Sequence, residues 1–140
     1  MSVQIAKEFR WEMGHRLMFH TGGCQNLHGH SYRLRVTLHG TVDDNGMIMD
    51  FADLKKIVKP IIKEIDHCMM LHENDTEVIE FIKGQGMKLI TLAVHPTAEN
   101  IALYLGEKIK SELKAHSQVE KITLRLQETA TAWAETEVTL

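Results

Sequence analysis

Cys24-Gln25-Asn26-Leu27-His28-Gly29-His30, running on through Ser31-Tyr32-Arg33-Leu34-Arg35-Val36-Thr37-Leu38-His39, is the stretch from which the rest of the chain can be laid out. Tyr32, Leu34, Val36 and Leu38 alternate with Arg33, Arg35, Thr37 and His39, the period-2 signature of a strand with one apolar face. His28 and His30 share the even, apolar parity if the strand runs back through them, and Gly29 adds no bulk between them. Upstream, Val3, Ile5, Phe9, Trp11 and Met13 alternate with Gln4, Glu8, Arg10 and Glu12, and His15 falls on the apolar parity of that run. Two adjacent antiparallel strands, 3–15 and 30–40, therefore bring His15, His28 and His30 onto one side of a sheet as a facial tripod.

Neutral imidazole nitrogen is a standard zinc ligand. Three imidazoles on one apolar face are hard to satisfy otherwise, and imidazole-only ligation favours zinc or another transition metal over calcium or magnesium. Three histidines leave a fourth tetrahedral position for water or substrate. Cys24 can instead close the site as a thiolate ligand, making it structural, or stand off the ion as a base. Spacing alone leaves both readings open.

Outward from this centre, Arg16–Asn26 lacks periodicity and reads as a loop that delivers Cys24. Asp43-Asp44-Asn45-Gly46 is a turn, with Met47–Met49 expected to return as a short strand. Asp50 caps a helix whose apolar stripe runs Phe51, Leu54, Ile57, Val58, Ile61, Ile62, Ile65, with a kink or break expected at Pro60. A short helix is expected over Glu77–Lys83, then a strand or extended arm over Met87–Val94. Thr97 caps a second long helix, with Ile101, Ala102, Leu105, Ile109 and Leu113 inward. Val119–Leu126 and Thr131–Leu140 complete the strands, and Glu128 keeps the inward parity of the first if that strand continues. The order predicts one α+β domain, residues 1–140, with a four-stranded antiparallel sheet covered on one face by two helices.

Composition bounds the function. At 140 residues, 44% apolar and 25% charged, the chain is an ordinary globular domain, and its net charge of −3 gives no hint of nucleic-acid binding. No apolar run reaches the roughly 20 residues of a membrane span, and Met1–Arg10 carries no leader pattern. Two cysteines outside any secreted-type framework fit a cytoplasmic protein. Asp66-His67 sets a carboxylate beside an imidazole where an apolar helix ends. Cys68 reads as a buried structural thiol. An inward Glu128 needs a ligand with paired donors. Glu99 reads as a complement to the helix dipole, and Arg10, Arg16, Arg33 and Arg35 as solvated strand-face residues.

Taken in order, His15-Arg16-Leu17, Cys24-x3-His28-Gly29-His30, Asp66-His67, Pro96-Thr97-Ala98-Glu99-Asn100 and Gln127-Glu128-Thr129 resemble the 6-pyruvoyl-tetrahydropterin synthase family over nearly the whole chain. Within it they look most like the 6-carboxytetrahydropterin synthases of queuosine biosynthesis. The resemblance implies a tunnel fold whose trimers close a barrel and stack into a homohexamer, with active sites between subunits. It implies zinc on His15, His28 and His30, Cys24 as general base, His67 oriented by Asp66 in a proton relay, and Glu128 anchoring a pterin and sharing that relay. Thr97 and Glu99 would support the pterin pocket.

In the carboxy branch, dihydroneopterin triphosphate loses triphosphate and acetaldehyde; in the pyruvoyl branch only triphosphate leaves. The short gap from Cys24 to His28 resembles the first branch. A cysteine, rather than the glutamate of some folate-pathway relatives, stands at position 24. Two departures are the long Glu73–His95 segment and the Ala132-Trp133-Ala134-Glu135 tail. A different tunnel-fold enzyme on a purine or pterin, and a structural zinc module, are the competing readings.

Overall fold

Both alternating runs form strands and pair as antiparallel neighbours. In the computed structural model, which describes residues 1–140, β1 spans Val3–His15 and β2 spans His28–Gly40. Their register sets His15 opposite His28 and Met13 opposite His30. β2 starts two residues earlier than its apolar alternation alone suggests, so His28 lies in the strand. Phe9, Trp11, Met13, Tyr32, Leu34, Val36 and Leu38 all turn to one side and are buried.

Three helices follow, α1 (Phe51–Ile65), α2 (Thr76–Gly84) and α3 (Ala98–Leu113), with the short strands β3 (Met69–His72) and β4 (Leu89–Leu92) on either side of α2. β5 (Val119–Thr129) and β6 (Ala132–Thr139) close the chain. The expected caps form: Asp50 accepts from the Ala52 amide at 2.7 Å and Thr97 Oγ1 from the Asn100 amide at 3.1 Å. α1 and α3 lay their apolar stripes on the inward side of β1, β2, β5 and β6, forming one core with the strand residues. Burying that face is the main stabilising term.

Several expectations need correction. The sheet has six strands in the order β4-β3-β1-β2-β5-β6, and β3 and β4 run parallel to β1, so it is mixed rather than four-stranded and antiparallel. β4 falls within the strand or arm expected over Met87–Val94, whereas β3, at four residues, is too short to show a period. The short helix expected over Glu77–Lys83 forms as α2 and covers the opposite side at the β3–β4 end. Met70 enters the main core, whereas the next residue, Leu71, packs with Ile79 and Ile82 of α2. Met47–Met49 forms no strand, although Ile48 and Met49 enter the core as loop residues. α1 runs unbroken through Pro60, which is exposed, and Phe51 of its expected stripe stays 52% exposed.

Leu34 is fully buried at the centre of β2 and Arg35 faces solvent. Leu34→Ala is expected to lower the unfolding free energy by about 2–5 kcal/mol. Arg35→Ala, which loses a surface pairing with Glu8, should cost about 1 kcal/mol or less. Urea unfolding of both variants checks this; equal losses would contradict the face assignment.

A candidate metal centre

The β1–β2 register converts sequence spacing into a triangle of rings. Ring centroids lie 4.6 Å apart for His15 and His28, 5.1 Å for His15 and His30, and 5.0 Å for His28 and His30. Two rings are held by backbone carbonyls: His15 Nδ1 lies 2.7 Å from the Pro96 oxygen and His28 Nδ1 2.7 Å from the Asn26 oxygen. A carbonyl only accepts, so each Nδ1 carries the hydrogen and each Nε2 presents a lone pair. Carbonyl support of this kind is the usual outer shell of a metal-bound histidine.

Glu128 joins them from β5. Glu128 keeps the inward parity of Ile122, Leu124 and Leu126, at a point where the β5–β6 ladder shifts register between Gln127 and Thr129. Its Oε1 lies 2.8 Å from His30 Nε2 and 3.6 Å from His15 Nε2. Ligand atoms of His15, His28, His30 and Glu128 all fall within 4.8 Å of one another. Yet His15 Nε2 and His30 Nε2 are buried with no hydrogen-bond partner. Orphaned, converging nitrogen lone pairs beside a carboxylate fit a zinc ion or a similar first-row metal.

The electrostatics agree. Burial is the main cause that lowers His30, with His15 and His28 adding to it and Glu128 opposing it, so its neutral, ligating form is favoured. Glu128 is held below the ordinary carboxylate range first by its approach to His15, with His30 and His28 contributing, against the effect of burial. Tyr32, two residues beyond His30 on the same face, closes the floor with its ring 5.5 Å from His30. Burial, with Glu128 and Cys68 assisting, raises its phenol and keeps it protonated. Its parity with His30 was the one signal of this role in the sequence.

Cys24 lies in a 3₁₀ turn, Gly23–Gln25, half-buried and outside the ligand cluster. Glu128, not Cys24, is the fourth potential ligand that the chain assembles. Arg16 fixes that turn: Nε and Nη2 donate to the buried Asp75 carboxylate at 2.6 and 3.0 Å, and Nη1 to the Gln25 carbonyl at 3.3 Å. Arg16 is therefore a brace between β1, the Cys24 turn and the cap of α2, a role its sequence context did not reveal.

Asp66 and His67 do pair, with His67 Nδ1 2.9 Å from Asp66 Oδ1, which also accepts from the Glu12 amide at 3.0 Å. His67 has φ +64°, and Lys88 Nζ holds the turn by donating to the Lys63 and Asp66 carbonyls at 2.8 and 2.7 Å. The exposed His67 lines a cleft with Glu12, Gly14, Ser31, Met69 and, from the metal cluster, His30. Asp66 and His67 themselves are not among the clustered ligand residues. Cys68 is buried and its thiol pushed up to about 11 by that burial, as a structural thiol should be. Glu99 and Glu128 share a cavity of about 560 Å³ with Leu103 and Trp133, whereas Thr97 does not line it and is engaged as the α3 cap.

The family described as 6-pyruvoyl tetrahydropterin synthase matches residues 4–138. The Haemophilus influenzae 6-carboxy-5,6,7,8-tetrahydropterin synthase is 34% identical, over 94% of this chain and 96% of that protein. A Plasmodium vivax 6-pyruvoyl tetrahydropterin synthase structure superposes with a TM-score of 0.80 at 17% identity, covering 100% of this chain and 99% of the other. The Caenorhabditis elegans 6-pyruvoyl tetrahydropterin synthase does so with 0.72 at 29% identity, over 99% and 97%.

Both shifted groups give the same sign with pH. His30 and Glu128 are each lowered in the folded state, so the unfolded chain binds more protons and stability falls as pH falls. The loss begins below about 6.5 for the imidazole and deepens below about 4.5 for the carboxylate. Protons also compete with an ion for the rings. Metal-free protein should show its highest melting temperature above about pH 7, and added zinc should be released below about pH 6. Thermal melts and chelator competition from pH 4.5 to 8 check both; retention of zinc at pH 5 would contradict the imidazole set.

Proposed function

The chain belongs to the 6-pyruvoyl tetrahydropterin synthase family, and from that membership we propose that it is a zinc-dependent lyase converting 7,8-dihydroneopterin triphosphate to 6-carboxy-5,6,7,8-tetrahydropterin, with release of acetaldehyde and triphosphate. One observation carries the reading: the ligand atoms of three imidazoles, two of them buried Nε2 atoms without a partner, converge beside a carboxylate that also lines a cavity. The carboxy branch is favoured because relatives bearing that name align over nearly the whole chain at 34% identity. Four residues from Cys24 to His28 add to it.

His15, His28 and His30 would hold the zinc ion, the first two with rings fixed by the Pro96 and Asn26 carbonyls. When bound, zinc supplies a Lewis acid that polarises side-chain oxygens of the substrate and acidifies the neighbouring carbon. Cys24 Sγ takes the proton from that carbon as general base. Asp66 orients His67, which passes protons to and from the reacting side chain. Glu128 accepts the paired N–H donors of the aminopyrimidine edge and Glu99 borders the same cavity, while Thr97, which does not line it, supports the pocket by capping α3.

Asp66 and His67 do not join the ligand cluster of one chain, which supports a complete site lying between copies. Cys24 of one copy meets the His67 relay of its neighbour in a homohexamer, a dimer of trimers, that acts in the cytoplasm. The edge strands β4 and β6 are the surfaces that support barrel closure.

Cys24→Ala separates the lyase from a structural zinc module. The variant should keep zinc and its melting temperature while turnover falls by about 10²–10⁴-fold, the scale of a lost general base. Loss of zinc together with folding would favour the structural role instead. Products from dihydroneopterin triphosphate, identified by mass, decide the branch: acetaldehyde with the carboxypterin is expected, a pyruvoyl pterin would move the chain to the other branch, and neither would overturn the lyase.

A further inference from the structure

Glu128 belongs to two places at once. Its Oε1 stands among the imidazole nitrogens, 2.8 Å from His30 Nε2, and the same residue lines the 560 Å³ cavity with Glu99, Leu103 and Trp133. His15 Nε2 and His30 Nε2 are nevertheless buried without a hydrogen-bond partner. With His15 Nδ1 committed to the Pro96 carbonyl, its Nε2 offers the carboxylate a lone pair rather than a hydrogen, and a cation among the oxygen and the ring nitrogens reconciles them.

Its backbone is equally uncommitted. The β2–β5 ladder ends at the Arg33–Gln127 pair, and the β5–β6 ladder steps from Gln127 directly to Thr129. Glu128 thus sits on a bulge outside both ladders, where its side chain can be re-aimed without breaking sheet hydrogen bonds. Three imidazoles are neutral ligands, so one carboxylate in the fourth position leaves a zinc centre with a single net charge. Half-buried, the carboxylate is better compensated there than facing an empty cavity.

We propose that Glu128 is the fourth ligand of the metal ion while the cavity is empty, and that it leaves the ion for the pterin when one binds. This rests on the pterin reading above. The paired N–H donors of the aminopyrimidine edge would draw the carboxylate into the cavity, and its departure opens the coordination position that the substrate side chain needs. Recognition of the ring and opening of the metal become one event. A ligand without those donors leaves the ion closed.

Cobalt(II) in place of zinc makes the exchange visible, because its visible absorption reports ligand type and number. The wild type, Glu128→Gln and Glu128→Ala are each loaded with cobalt, with metal content and circular dichroism measured on all three. Without pterin, both variants should differ in spectrum from wild type and release cobalt to a chelator on the order of 10–100-fold faster, the scale for losing a partner at a metal site. Adding 7,8-dihydropterin, which has the donor edge but no side chain, should carry the wild-type spectrum toward that of the pterin-free alanine variant.

Pterin fluorescence follows binding independently. Identical spectra and release rates for wild type and the glutamine variant would overturn the proposal. So would a wild-type spectrum unmoved by bound pterin. If the protein binds pterin and turns over substrate but cobalt is indifferent to position 128, the exchange fails and the lyase stands. If cobalt senses Glu128 but no pterin binds and no product forms, the lyase reading fails and the exchange with it.

Discussion

The site hangs on a single pairing register, His15 against His28 across β1 and β2. Because side chains alternate with a period of two, a slip of one residue would move one strand's histidines to the other face and send its apolar residues into water. The core enforces the register. Phe9, Trp11 and Met13 on one strand and Tyr32, Leu34, Val36 and Leu38 on the other must be buried together. Trp11 and Tyr32 stack at 5.4 Å directly beneath the rings. The energy that folds the sheet therefore also aims the imidazoles, and the metal centre inherits its precision from apolar packing.

Around that frame, backbone groups do the fine work. Carbonyls of Asn26 and Pro96 choose the tautomers, and Pro96 sits immediately before the cap of α3, so the helix start also positions a ligand. The Asn100 side chain donates to the His95 carbonyl at 2.8 Å and steadies the same segment. The Pro96–Asn100 motif thus joins a helix cap to the outer shell of the metal site. The Arg16–Asp75 pair performs the matching task for the Cys24 turn. Bidentate and partly buried, it is a stiffer link than an exposed ion pair.

The Asp66-His67 pair and the imidazole cluster use different parts of the fold. The pair sits in the turn after α1, and the ligand atoms of His15, His28, His30 and Glu128 gather without it. β4 and β6 are the edge strands of the sheet, where a row of backbone groups faces outward.

Much of this was legible in the residues. Alternation in 3–15 and 28–39 placed three histidines on one face, the 3.6-residue stripes gave α1 and α3 with their caps, and the parity of Glu128 turned it inward, because each of these signals is local and repeated. The strand Met69–His72 was not legible, being too short to carry a period, and neither was the parallel pairing of Leu89–Leu92, which lies within the strand or arm expected over Met87–Val94. Nor were the Arg16 brace, the carbonyls that fix the rings, or the choice of Glu128 over Cys24 in the ligand cluster. Sequence decides which face a side chain takes, since that follows from backbone geometry over two to four residues. Which distant group it meets there depends on register, on a bulge and on packing between elements far apart in the chain, and only the folded structure supplies those.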